Sequence, residues 1–260
     1  GDYSLAIQDA LQHSGIGTPT LVIDEARLNA NIDALMGALP DGMNYRIVAK
    51  SLPSLDLISH ISERTGSKRL MTFNLSMLES LSAAMPDADQ MLGTPLPVAA
   101  ARAYFQNSAF SSRARANVQW LIDSPGRLKD YAALADANGE PMRINIELDV
   151  GLHRGGVTPE DGLADMLTMI KESSNLTFSG LMGYEPHVGG VPVSGGRRAR
   201  AFEKALTIYR ASLAQVKDIL GEDALDGATL NAAGSSTFKL YKNTEVANEV
   251  AVGTALVKPD

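Results

Sequence analysis

The sequence predicts an α/β protein built as a closed (β/α)8 barrel, and three observations carry that prediction. Short β-branched or apolar runs alternate with amphipathic helical stretches from one end of the chain to the other. About eight such units fit into 260 residues, the length of one such barrel, although an open doubly wound sheet gives a similar pattern. A composition of 45% hydrophobic and 20% charged residues is enough to bury one large core.

Ahead of the first strand, "DEARLNANIDALMGAL" (24–39) puts Leu28, Ile32, Leu35 and Leu39 on one helical face behind Asp24 as N-cap. Strands are expected at "YRIVAK" (45–50), "RLMTF" (69–73), "ADQMLG" (88–93), "NVQWLID" (117–123), "RINIELDV" (143–150), "TFSGLMGYE" (177–185), "TLNAAG" (229–234) and "EVAVGTAL" (249–256). Between them "PGRLKDYAALADAN" is helical, with Pro125 in its first turn, and so is "RARAFEKALTIYRASLAQVKDIL". The glycine- and proline-rich "EPHVGGVPVSGG" is the one long loop and suits a mobile segment over one end of the barrel. Only "VKPD" comes after the last strand, so the outer helix of the eighth unit is expected to be missing, with the leading helix filling its place. Residues 1–17 read as a helical extension and 18–260 as the barrel.

A net charge of −7 and a pI near 5.2 set aside a nucleic-acid partner, which demands lysine and arginine against phosphates. The absence of cysteine excludes disulfides and thiolate metal sites and is compatible with a reducing cytoplasm. No apolar run has membrane-spanning length, and Asp2 and Asp9 do not suit a secretion signal.

Active sites of such barrels lie at the C-terminal ends of the strands. Alternation places Arg46, Val48 and Lys50 on the inward side, so Lys50 points into the barrel mouth, where a desolvated amine can form a Schiff base; the alternative is a solvated lysine at a strand end. In "INIELDVGLHRGGV" (144–157) the same parity turns Asn145, Glu147 and Asp149 inward, and Arg154 is their natural partner. That pairing is either purely structural or the means by which a glycine-flanked turn holds Arg154 over the mouth; His153 reads as surface. Tyr184 and His187 end the sixth strand, where they can meet a planar ligand or simply pack in the loop. "NAAGSSTF" (231–238) is ordinary turn chemistry by itself, yet it falls after strand seven, where barrels frequently bind phosphate. His13, His60, His153 and His187 have no metal-ligand spacing, so no metal site is expected, and "GGRRAR" (195–200) reads as a solvated helix start.

"TPTLVIDEARLNANI", "YRIVAKSLP", "INIELDVGLHRGGV", "GLMGYEPHV", "NAAGSSTF" and "NEVAVGTAL" occur in the order seen in the alanine-racemase-like, fold-type-III pyridoxal phosphate enzymes. From about Thr18 onward the chain most resembles their D-threonine aldolase and D-serine dehydratase branch. The resemblance implies that Lys50 forms the internal aldimine, Arg154 meets the cofactor's phenolic oxygen, Tyr184 sits near the ring, and Gly234, Ser235, Ser236 and Thr237 hold the phosphate. His187 is the second candidate catalytic group. The departures are "AAGSST" in place of a "GGGTGS"-like run, Ile47 and Val48 where relatives carry a histidine before the lysine, and Gly190 where aldolases place a basic histidine.

The implied function is a lyase, aldolase or dehydratase, acting on small D-β-hydroxy amino acids, and a homodimer when full-length. The alternatives are an amino-acid racemase, a non-catalytic single-barrel pyridoxal phosphate carrier and a Schiff-base sugar-phosphate aldolase. Relatives carry a C-terminal β-domain with metal ligands or a catalytic tyrosine; that domain is expected to be absent from this chain, so a divalent metal is implied only together with it.

Overall fold

A computed structural model describes residues 2–257. Eight parallel strands close into a barrel in sequence order: β1 (Asn44–Val48), β2 (Arg69–Thr72), β3 (Asp89–Leu92), β4 (Val118–Ile122), β5 (Met142–Leu148), β6 (Leu176–Gly183), β7 (Thr229–Ala232) and β8 (Glu249–Val252), with β8 pairing back onto β1. Around them run α1 (Asp2–His13), α2 (Glu25–Ala38), α3 (Leu55–Thr65), α4 (Leu75–Ala84), α5 (Val98–Gln106), α6 (Ser112–Ala116), α7 (Pro125–Asn138), α8 (Leu163–Glu172), α9 (Pro186–Gly189), α10 (Arg197–Leu220) and α11 (Thr254–Val257). All eight expected strands are present. They stop earlier than their apolar runs, because the ladder ends where the neighbouring strand turns away.

The leading helix behaves as its pattern requires. Asp24 accepts the Arg27 N–H at 2.9 Å, and Leu28, Ile32 and Leu35 are buried against the barrel. Asn31 Nδ2 donates to Leu256 O at 2.9 Å, tying α2 to the chain after β8. The end of the eighth expected strand is corrected: the strand stops at Val252, and residues 254–257 form the one-turn α11, which buries Leu256 beside α2. Of the segment expected to be mobile, the first half is packed and hydrogen-bonded while residues 192–196 are exposed. It buries Val188 on α9, and Arg198 donates to Val191 O at 2.9 Å and Gly189 O at 3.1 Å, so this arginine of the helix start is engaged rather than solvated. α1 buries no residue.

Inside the barrel the parity read from sequence holds. Arg46 is fully buried, and its guanidinium reaches Glu249 at 2.5 Å and Asp89 at 2.7 Å. Burial opposes its charge, but the two carboxylates outweigh burial and raise its pKa. Arg69 and Asn231 also donate to Glu249, while Arg143 and Gln119 donate to Asp89. A paired ionic layer therefore fills the lower barrel, and Val48, Met71, Met182, Asn231 and Ala251 form the floor of the cleft at its mouth.

Candidate active site

At the end of β1 the chain leaves the ladder in a single 3₁₀ turn, Ala49–Ser51, that buries Ala49 and sends Lys50 into the mouth. Lys50 is thus one turn beyond the strand rather than its last residue. Its Nζ lies 4.0 Å from the centre of the Phe73 ring, just past the end of β2. The side chain is open to solvent, yet partial loss of hydration lowers the amine's pKa, and the nearby Arg154 charge lowers it further. Both effects enlarge the neutral fraction, the form that attacks a carbonyl.

Arg154 is placed by a turn that only glycine can make. Gly156 has φ 98, and a Cβ there would stand 2.7 Å from both Asp149 N and Leu148 C. The turn returns Arg154 to the strand that produced it, where its Nε donates to Glu147 Oε1 at 2.8 Å. Nη2 reaches Gly93 O at 3.3 Å, and the guanidinium carbon stands 4.8 Å from the centre of the Tyr184 ring. Burial pushes the Glu147 carboxyl up, and Arg154 opposes that shift without cancelling it. Of the two acids left open by the sequence, Glu147 therefore supports Arg154. Asp149 instead closes the turn: it accepts the N–H groups of Gly151 and His153, both at 3.0 Å, and pairs with His153 Nδ1 at 2.7 Å. His153 itself is exposed, as expected, with φ 57.

On the far side Gly234 and Ser235 lie just beyond β7, and Gly253 and Thr254 just beyond β8. Ser235 Oγ accepts the Ala255 N–H at 3.0 Å, joining the two loops, and Ser51 Oγ stands 3.4 Å from Thr254 Oγ1. A Cβ on Gly253 would lie 2.7 Å from Ser51 Oγ and 2.8 Å from Val48 Cβ; one on Gly234 would lie 2.9 Å from the Tyr184 ring. Only glycine fits at these two places, because Ser51, Val48 and Tyr184 pack directly against the main chain where it lines the cleft. The remainder of the expected phosphate run turns away. Thr237 is fully buried with its Oγ1 accepting the Gly234 N–H at 3.2 Å, and the exposed Ser236 packs over Gly189.

Lys50, Phe73, Arg154, Tyr184, Gly234 and Ser235 thus share one cleft. Its chemistry fits a planar phosphorylated aldehyde such as pyridoxal phosphate: an amine of lowered pKa, a cation held by a buried acid, an aromatic face, and hydroxyls beside glycine backbone. His187 does not line the cleft. It sits on α9 behind Gly151, with Nδ1 buried and unpartnered, and desolvation followed by the His153 charge lowers its pKa. Among the described residues no three His, Asp or Glu side chains converge as a metal site. Sequence reasoning passed over Phe73, although it ended an expected strand, and Gly253 and Thr254, which lay inside one.

The chain is 24% identical over 256 residues to 3-hydroxy-D-aspartate aldolase of Paracoccus denitrificans (strain Pd 1222), covering 97% of this chain and 63% of that protein. It thus spans less than two thirds of that relative's length. The crystal structure of D-threonine aldolase from Filomicrobium marinum superposes with a TM-score of 0.76 at 20% identity, over 93% of this chain and 62% of that one. An alanine racemase of Clostridium difficile 630 in complex with cycloserine gives 0.76 at 13% identity, over 94% and 63% respectively. These superpositions extend the likeness from sequence to fold, and the model of the alanine racemase N-terminal domain matches residues 23–259, so the chain belongs to that family.

Proposed function

We propose that the protein is a pyridoxal phosphate-dependent lyase of small D-β-hydroxy amino acids. The observation that carries this reading is Lys50, a lysine of lowered pKa facing Arg154 across a cleft lined by Gly234 and Ser235. When bound, the cofactor supplies an electron sink for a bond broken at the substrate Cα. Lys50 is the residue that would hold the cofactor through its aldehyde carbon, and its amine would be placed to carry a proton to or from a substrate Cα on that face. Arg154 would meet the ring's phenolic oxygen and favour its ionised form, and Glu147 fixes the guanidinium fork. Tyr184 packs beside the ring, and Gly234 and Ser235, with Gly253 and Thr254, receive the phosphate. Ser236 and Thr237 act by shaping that turn. His187 serves the site by packing under the Gly151 turn that carries Arg154, and not by touching substrate.

A D-β-hydroxy amino acid as substrate rests on the named activities of the relatives, 3-hydroxy-D-aspartate aldolase among them. Among the described residues no helix is long and apolar enough to cross a membrane, and the lack of cysteine fits a reducing compartment such as the cytoplasm. A homodimer is the assembly we propose for the full-length protein. Borohydride reduction in the presence of pyridoxal phosphate, followed by peptide mapping, tests the reading: the label belongs on Lys50, and a label chiefly on Lys68 or Lys239 overturns it. Assay of the full-length protein on paired D- and L-amino acids, with and without divalent metal, then separates cleavage or dehydration from interconversion of enantiomers.

A further inference from the structure

Behind the turn after β7 lies a carboxyl with no part in the proposed chemistry. Glu185 stands just past β6, is 1% exposed, and has an Oε1 buried without a hydrogen-bond partner. Its Oε2 accepts the Ala233 N–H at 3.3 Å. The buried Thr237 hydroxyl and Tyr241 phenol face the same carboxyl. Burial pushes its pKa up more strongly than these groups pull it down, which favours the neutral acid.

The residue it grips is the unusual one. Ala233 has φ 64, a left-handed conformation that a residue with a Cβ enters only at a cost, and it is buried immediately before Gly234. Two hydrogen bonds fix the shape of the turn, Ala233 N–H to Glu185 and Gly234 N–H to Thr237 Oγ1 at 3.2 Å. A buried acid is poorly suited to packing alone, since an apolar side chain of similar size would fill the space without a desolvated carboxyl. We infer that Glu185 is a positioning residue: reaching from the end of β6, its carboxyl holds Ala233 left-handed and so sets the turn that presents Gly234 and Ser235 to the phosphate end of the cleft. The inference rests on reading that end as a phosphate site.

Two measurements on the same variants test it: hydrogen exchange of the peptide spanning 229–241, which needs no cofactor, and the affinities for pyridoxal phosphate and pyridoxal. Glu185→Ala should speed exchange in that peptide alone and weaken pyridoxal phosphate by about tenfold, with pyridoxal changed by less than about threefold. Glu185→Gln, which keeps an acceptor for Ala233 and no charge, should stay within about threefold of the parent for both ligands. Adding Ala233→Gly to Glu185→Ala should restore much of the phosphate preference, because glycine adopts the positive φ freely. If Glu185→Ala does not fold, Glu185→Asp, which withdraws the carboxyl by one methylene, is read in the same way.

Exchange rising throughout the chain, both ligands weakening equally, or no change in the 229–241 peptide would each overturn the inference. A parent protein with no preference for pyridoxal phosphate over pyridoxal would instead refute the phosphate reading, and the exchange experiment would still decide whether Glu185 holds the turn.

Discussion

Removing Arg154 separates its two roles, support of a buried acid and contact with a ligand. In Arg154→Ala the Glu147 side chain, only 4% exposed, loses its partner at 2.8 Å. Breaking a fully buried ion pair costs about 3–5 kcal/mol, but Arg154 is 35% exposed, and water screens and partly replaces it. Halving the cost gives about 2 kcal/mol, which for a chain of this size lowers Tm by about 4–8 °C. The pH dependence comes from Glu147, whose pKa is raised above 4.5 by burial and held down in part by Arg154. A carboxyl with a raised folded pKa contributes stability that is full below its unfolded pKa and lost as pH rises through the folded value. Without Arg154 that folded value climbs further, so the deficit should be small near about pH 4 and larger near about pH 8. Thermal unfolding monitored by circular dichroism at both pH values measures this, and Arg154→Ala/Glu147→Gln should recover most of the loss at the higher pH. Equal Tm for the single and double variants, with no pH dependence, would refute the reasoning.

Arg154→Lys keeps the charge and loses the planar fork, so it should retain Lys50 labelling but shift the pH titration of the bound cofactor's absorbance. Because desolvation and the Arg154 charge both lower the Lys50 pKa, competitive acylation should find this amine half-reactive below pH 10.5, and Arg154→Ala should move the midpoint upward. Gly253→Ala introduces a Cβ 2.8 Å from that of Val48 and should cost about 1–3 kcal/mol in denaturant unfolding, while weakening pyridoxal phosphate more than pyridoxal. Gly180→Ala is the severe case: at φ 146 its Cβ would lie 1.9 Å from Thr229 O, at the register shift between β5 and β6, so a soluble, cooperatively melting protein should not be recovered.

The barrel was legible because β-branched runs and inward polar parity survive in a single sequence; Arg46, Asn145 and Glu147 face inward as alternation requires. Strand ends were less legible, since residues 250–256 carry no charge to mark a boundary and the ladder shows that the strand stops at Val252. Lys50, Arg154, Tyr184, Gly234 and Ser235 were legible because each lies at or just beyond the C-terminal end of a strand, where a barrel gathers its functional side chains. Ser236 and Thr237 could not be separated from them, because a turn reverses its side chains within two residues and sequence spacing does not say which face is wet. Glu185 was invisible as a buried acid, since nothing in "GYEPHV" distinguishes it from a solvated loop glutamate.

The ionic layer under the cleft also dictates when the fold can be completed. Arg46 and Glu249 stand 203 positions apart in sequence, so the guanidinium, which meets Asp89 of β3 only 43 positions on, gains its second carboxylate when the last strand arrives. During synthesis the growing chain can assemble neighbouring strands and helices in turn, and the cylinder is sealed when β8 pairs onto β1 and brings Glu249 to Arg46. A polypeptide interrupted before Glu249 would therefore keep an open β1 edge, with Arg46 answered by Asp89 alone.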